Sequence, residues 1–323
     1  MDIIFLFFIT IALTWASVYF VMPHYICLLQ KVGANQEVSE YALDEFKAKA
    51  KTPIMGGLLF VVFPVFICVV LMPNLICDPQ ALFILLSFVI FGAIGFADDF
   101  LILMRHNNLG LSPKKKLGMQ LISALLLCLL FRDTLHSDIY LPFLHVQLSL
   151  AWLYIPFAVL LFASEANAVN FTDGMDGLCA GVSFISLLPF VIIALLQKQM
   201  NIALICAAVM AALLAYLHYN SFPARIFMGD SGSLALGGLF TAVALMLHSE
   251  VVLFFAGGIF VWEMVCVTLQ LSWVKLFHKR LFSYTPIHYA FKLKGISEKR
   301  IVESFYLITM FLVFVAIILG VWG

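Results

Sequence analysis

Residues 167–181 read NAVNFTDGMDGLCAG and set two aspartates, Asp173 and Asp176, between apolar runs that are each long enough to cross a bilayer. A spanning helix needs about 20 mainly apolar residues, and the same alternation of long apolar run and short polar loop recurs along the chain. Ten such segments are expected, centred on residues 3–22, 54–76, 80–97, 117–131, 150–168, 177–196, 201–219, 233–248, 251–274 and 302–322. Of the 323 residues 64% are hydrophobic and 11% charged, where soluble domains carry about a quarter of charged residues. Mean hydropathy is +1.08. An ordinary soluble protein is excluded. The expected fold is an all-α polytopic membrane protein of about ten transmembrane helices, one integral-membrane domain over residues 1–323.

Orientation follows from lysine and arginine, which cytoplasmic loops retain. Sixteen of the 18 fall in alternate loops, and Arg132 and Lys198 alone occupy the others. Loops 24–53, 98–116, 169–176, 220–232 and 275–300 are therefore expected inside and both termini outside. Asp2 stands where a signal peptide would carry a basic region, and the first apolar run is too long for one. The seven cysteines form no CxxC, are odd in number and fall mostly in apolar segments, which reads as packing.

Net charge is zero, yet the acidic residues are clustered: Asp98, Asp99, Asp173, Asp176 and Asp230 all fall at inner ends of expected helices. Boundary carboxylates are costly unless paired, so such a set implies a gathering cation. In GFADDF, residues 95–100, the pair is expected to close a helix whose C-terminal dipole already disfavours negative charge. Successive helical residues point about 100° apart, so one aspartate is expected to face a cleft while the other positions it. Asp173 and Asp176 precede the sixth segment, where either could serve as a helix cap. Asn167, Asn170, Thr172, Gly174 and Gly177 in the same stretch favour a ligand-facing loop. In NSFPARIFMGDSGSLALGG, residues 220–238, Asp230 is followed by Ser231, Gly232 and Ser233 at a helix start, a natural anion site. A carboxylate beside an anion site calls for a hard divalent cation, and Mg²⁺ prefers such oxygen ligands.

Lysines at 47, 49 and 51 and at 114, 115 and 116 could hold phosphate oxygens, or merely anchor the inner face. His288 follows Pro286 in the last inner loop, with Tyr284, Tyr289 and Phe291 nearby. Glu263 and Gln270 lie seven residues apart on one face of the ninth segment. Glu165 in the fifth should also face the interior, toward a partner the sequence leaves unnamed.

The motifs TPIMGG, GFADDF, NAVNFTDGMDGL, FPARIFMGDSGSLALGG and PIHYAFKLKG resemble, in order and spacing, those of the phospho-N-acetylmuramoyl-pentapeptide transferase family of polyprenyl-phosphate sugar-1-phosphate transferases. The aspartate motifs belong to the superfamily, while TPxMGG and PIH point to its peptidoglycan branch. The resemblance implies a ten-span, Mg²⁺-dependent homodimer of the bacterial inner membrane with its active site on the cytoplasmic face. It would transfer phospho-MurNAc-pentapeptide from UDP-MurNAc-pentapeptide to undecaprenyl phosphate, giving lipid I and UMP. Carried over by position, Asp230 is the Mg²⁺ ligand, and Asp98 and Asp99 flank the attacking lipid phosphate. Asp173, Asp176 and His288 are site residues, and Lys47, Thr52, Lys114, Lys116, Asn170, Asn220, Phe227 and Gln270 contact nucleotide-sugar or phosphate, Phe227 by stacking on uracil. Two positions depart from the family pattern: Ile102 stands where a lysine usually follows the acidic pair, and Tyr289 and Ala290 replace further histidines after His288.

Two other readings stand beside this one. A polyprenyl-phosphate HexNAc-1-phosphate transferase of another envelope glycan pathway would keep the aspartates and accept related UDP-sugars lacking a peptide. An ion-coupled transporter would place its carboxylates near the bilayer midplane. Besides substrates and the lipid bilayer no further partner is expected, and no nucleic acid.

Overall fold

The computed structural model describes residues 3–34, 52–105 and 110–322. Each of the ten expected apolar segments lies in helix: α1 (Ile3–Val32), α2 (Gly57–Leu71), α3 (Pro79–Arg105), α4 (Pro113–Leu130), α5 (Tyr154–Thr172), α6 (Leu178–Ser186) with α7 (Leu188–Leu196), α8 (Met200–Asn220), α9 (Gly229–Met246), α10 (Glu250–Ala256) with α11 (Gly258–Phe277), and, after the short α12 (Ile287–Leu293), α13 (Glu298–Trp322). Eight described helical runs are long and apolar enough to cross a membrane. Of the rest, α2 has 15 residues, and α4 opens with three consecutive lysines after Pro113. The chain is a multi-pass membrane protein.

Two expected spans are broken helices. The α6–α7 break falls at Leu187, with Pro189 in the first turn of α7, where its missing N–H costs nothing. The α10–α11 break falls at Gly257. Between α4 and α5 the chain forms an antiparallel hairpin, β1 (Asp138–Leu141) and β2 (Val146–Ser149), registered Asp138 opposite Ser149.

Helix α9 is the axis of the fold. Every residue from Ser231 to Met246 is buried, as a helix apolar on all sides must be. It packs most extensively on α3 and α5, and then on α2 and α10. Helices α1, α11 and α13 bury far less of their surface and form the periphery. Close approach around α9 depends on missing side chains. A Cβ at Gly95 of α3 would collide with the backbone of Asp230 and Ser231, and one at Gly57 of α2 with that of Gly232. These contacts bring α2 and α3 onto the first turn of α9, where the polar residues gather.

Candidate active site

The acidic pair does not end α3, which continues to Arg105. Both aspartates are buried rather than solvated, and they face different partners. Asp99 accepts the N–H groups of Asp230 at 3.1 Å and Ser231 at 2.9 Å. The anion expected at the start of α9 is thus the carboxylate of Asp99, capping from α3 the free donors of the first turn. Asp98 points to Lys116 of α4, whose Nζ lies 3.2 Å from its Oδ2, and it accepts the Leu111 N–H.

Lys116 also pairs with Asp230. Asn170, in the last turn of α5, donates to Asp230 Oδ1 at 2.6 Å and to Ser233 Oγ at 2.9 Å. The carboxyl groups of Asp98 and Asp230 meet as well. One ammonium therefore serves two carboxylates, and it comes from α4, since position 102 holds isoleucine. Arg105 is turned to the Gly110 carbonyl at 3.3 Å.

Asp173 follows the last residue of α5 and receives the Gly229 N–H. Its pKa is pushed up to about 8, first by desolvation and then by the charges of Asp230, Asp99 and Asp176. Neither Asp173 nor Asp176 caps α6, whose N-cap is Gly177 in the left-handed region at φ 77°. Asp176 instead accepts the Ala224 N–H at 2.9 Å, and its own N–H donates to Glu298 Oε1 at 2.9 Å. Asn220, at the end of α8, accepts the Gly177 N–H at 3.1 Å and donates to the Ile226 carbonyl at 2.9 Å. Both residues fasten the 173–177 loop to the 221–228 segment.

TPIMGG joins the same face through its backbone. Phe227 N–H donates to the Pro53 carbonyl and Gly56 N–H to the Phe227 carbonyl, each at 2.8 Å. Thr52 and the Phe227 side chain are half-buried there. Lys114 is exposed on the first turn of α4, and Lys47 lies outside the described residues.

His288 approaches from α12. It is fully buried, its Nδ1 lies 2.9 Å from Glu263 Oε1, and the Ile287 N–H donates to Glu263 Oε2 at 2.6 Å. Its Nε2 has no hydrogen-bond partner among the described residues and lies against Gly174, where a Cβ would collide with it. Tyr289 Oη donates to the Gly174 carbonyl at 3.0 Å. Gln270 accepts the N–H groups of Leu281 and Phe282 at 3.0 and 2.8 Å, which pins the chain leading to His288. The Glu263–Gln270 face read from the sequence thus holds the last polar loop. Glu298, which pairs with Lys292 at 3.0 Å and holds Asp176, was not anticipated. In sequence it is only an acid in the first turn of a helix, a position that the dipole favours anyway.

Four carboxylates gather around the start of α9, with Asp176 close behind, and Lys116 is the described cation that pairs with them. All these donors are carboxylate oxygens, more of them than one ammonium can neutralise, and oxygen is the ligand a hard divalent cation prefers. The residues present fit Mg²⁺, with Asp230 at the centre of the set.

Comparison with known proteins identifies the family. Glycosyl transferase family 4 is matched over residues 81–248, from α3 through the end of α9. A phospho-N-acetylmuramoyl-pentapeptide-transferase of Halalkalibacterium halodurans is 36% identical over 319 residues, 97% of each chain. One of Caldanaerobacter subterraneus subsp. tengcongensis is 40% identical over 295 residues, 90% of this chain and 92% of the relative. One of Bacillus thuringiensis is 36% identical over 303 residues, 93% of each. The chain belongs to the phospho-N-acetylmuramoyl-pentapeptide-transferase family. The relatives match 90–97% of the chain, so family membership extends well beyond the region matched by the glycosyl transferase family. The isoleucine at 102 is accordingly a feature of a family member in which Lys116 already stands beside the acidic pair.

Proposed function

We propose that this protein transfers phospho-MurNAc-pentapeptide from its UDP carrier to undecaprenyl phosphate, releasing UMP and forming lipid I for peptidoglycan synthesis. The observation that carries the reading is the convergence of Asp98, Asp99, Asp173 and Asp230 with Lys116 and Asn170 at one helix start. It occurs in a chain that matches transferases of that name over nearly its whole length. An apolar groove of about 530 Å³ between α2 and α3 is lined by residues such as Val61, Val65, Phe66 and Phe96 and reaches Ser231. An isoprenoid tail lying there would bring its phosphate to the carboxylate cluster. The proposed setting is the bacterial inner membrane, with the site on the cytoplasmic face.

Transfer brings a diphosphate and a phosphate monoester together, so the main task is electrostatic. Mg²⁺ at Asp230 would supply charge neutralisation and hold the diphosphate oxygens. Lys116 adds a fixed positive charge between Asp98 and Asp230, and Asn170 fixes the Asp230 rotamer by donating to Oδ1. The lipid phosphate oxygen forms a bond to the β-phosphorus of the donor, and the bond from that phosphorus to the UMP oxygen breaks, its electron pair leaving with UMP. Both Asp99 oxygens are held by the backbone of α9, whereas Asp98 stands with Lys116 and Asp230, so Asp98 is the member of the pair that would meet substrate. His288 is oriented through Nδ1 by Glu263 and presents Nε2 toward the loop that carries Asp173, where it can hold a donor oxygen or a proton.

UMP release by purified protein with a polyprenyl phosphate acceptor tests the reading with two donors. UDP-MurNAc-pentapeptide should show the higher kcat/KM, because peptide and lactyl contacts contribute to transition-state positioning. Equal or better use of UDP-GlcNAc would assign the chain to another envelope glycan, with Tyr289 and Ala290 as the first residues to examine. Asp230→Ala should leave a folded protein with under about a tenth of the activity, a loss above about 1.4 kcal/mol of transition-state stabilisation.

A further inference from the structure

The far end of α9 carries a second polar cluster that the transfer reaction does not use. His136 and Asp138 come from the α4–β1 connection and the start of β1, and His248 from the turn between α9 and α10. One ligand atom from each, an imidazole nitrogen or a carboxylate oxygen, lies within 4.8 Å of the other two. An 18-residue helix is about 27 Å long, so this cluster is separated from Asp230 by the whole of α9.

Two features distinguish it from a chance meeting of polar side chains. The His136 and His248 rings come from different elements and meet edge to face, with Asp138 in reach of both. His248 Nε2 is buried with no hydrogen-bond partner among the described residues, and a buried imidazole nitrogen left unsatisfied is costly.

We propose that His136, Asp138 and His248 form a binding site for a divalent transition metal, Zn²⁺ above others, which clamps the β-hairpin to the α9–α10 turn. Two imidazoles and a carboxylate suit Zn²⁺, Ni²⁺ or Cu²⁺, whereas Mg²⁺ and Ca²⁺ take oxygen ligands. Bonds of about 2.0–2.1 Å in a tetrahedron set ligand atoms roughly 3.3 Å apart. The three ligand atoms start within 4.8 Å of one another, and exposed His136 has room to reorient so that they close to that spacing. Water completes the fourth position. The metal ties a surface hairpin to the most deeply buried helix, so its binding energy adds to the stability of the fold.

The test uses the full chain without an affinity tag, in detergent, with Cys27→Ser and Cys77→Ser to remove the two exposed thiols. Zn²⁺ titrated against a chromophoric chelator should bind with one-to-one stoichiometry, raise the thermal unfolding midpoint in a way that Mg²⁺ does not, and leave UMP release at fixed Mg²⁺ unchanged. His136→Ala should weaken Zn²⁺ binding at least about tenfold, as loss of even an outer-shell partner does. His248→Asn, which keeps a residue tolerant of the left-handed backbone at φ 53°, should do the same. Bound Co²⁺ should show the visible bands of a four-coordinate site and lose them in both variants. Absence of one-to-one binding, or binding unchanged in His136→Ala, overturns the proposal whether or not the His248 variant folds.

Discussion

Asp98 and Asp99 are adjacent in sequence and divided in task. Asp99 is spent on the backbone of α9, accepting the N–H groups of Asp230 and Ser231, while Asp98 faces Lys116 and the Asp230 carboxylate. Losing a charge-assisted acceptor that leaves two buried donors unpaired costs about 1–3 kcal/mol. Asp99→Ala should therefore lower the unfolding midpoint in detergent and reduce transfer together. Asp98→Asn should keep the midpoint and lose transfer at least about a hundredfold, as removal of a preorganised charge from a phosphoryl site does. UMP release and thermal unfolding measured on both variants decide the matter: equal loss of stability in the two would place them in one role. The 100° rotation between neighbours on a helix made this division legible from sequence. Which aspartate takes which role was not legible, because it depends on where α9 crosses α3. Likewise Glu263 stood out as a polar residue on a spanning helix, but its partner His288 is 25 positions away, and Glu298 resembled any acid opening a helix.

At the scale of elements, the segments themselves were legible, since bilayer length and hydropathy constrain them strongly. The breaks at Leu187 and Gly257 were not, because an apolar run looks continuous whether or not its hydrogen-bond ladder is interrupted. The hairpin at 138–149 was also missed, being too short to register against the long apolar runs around it. Least visible was the reason that α2 and α3 close on the start of α9, which lies in absent side chains. At Gly95 the obstacle to a Cβ is the backbone of Asp230 and Ser231, and backbone cannot turn aside as a flexible side chain would. Gly95→Ala should push the first turn of α9 away from α3 and carry Asp230 with it. A displacement of about 1 Å in a catalytic group can cost a hundredfold in rate, so transfer should fall by about that factor. Gly118 of α4 has nothing within 4 Å of its would-be Cβ, and alanine there gains about 0.5–1 kcal/mol of helix preference. Gly118→Ala should accordingly keep full activity with an equal or higher midpoint. Activity in Gly95→Ala matching that of Gly118→Ala would mean that α9 does not depend on this close approach.

For the whole molecule, the asymmetry of its ends has one further consequence. The carboxylate cluster, the 221–228 segment and the His288 loop all gather at the end of α9 that holds Asp230, and the hairpin with His136 and His248 lies at the other. Sixteen of the 18 lysines and arginines fall in the sequence segments expected on the inner face, and those that hold Asp98, Asp173, Asp230 and His288 are among these segments. Positive charge within short loops is retained in the cytoplasm, so the Asp230 end should face inward, where nucleotide-activated sugars are present, and Arg132 should face outward. The two ends can be addressed separately. In a background with all seven cysteines replaced, single cysteines at Arg132, which is largely exposed beside the hairpin, and at exposed Lys279, which begins the loop to His288, report one end each. A membrane-impermeant maleimide applied to spheroplasts should modify Arg132→Cys and spare Lys279→Cys, and inverted membrane vesicles should reverse the pattern. Modification of Lys279→Cys from outside would put the carboxylates on the face that lacks the proposed donor. The transfer reaction could not then be the one proposed, however well the residues fit it.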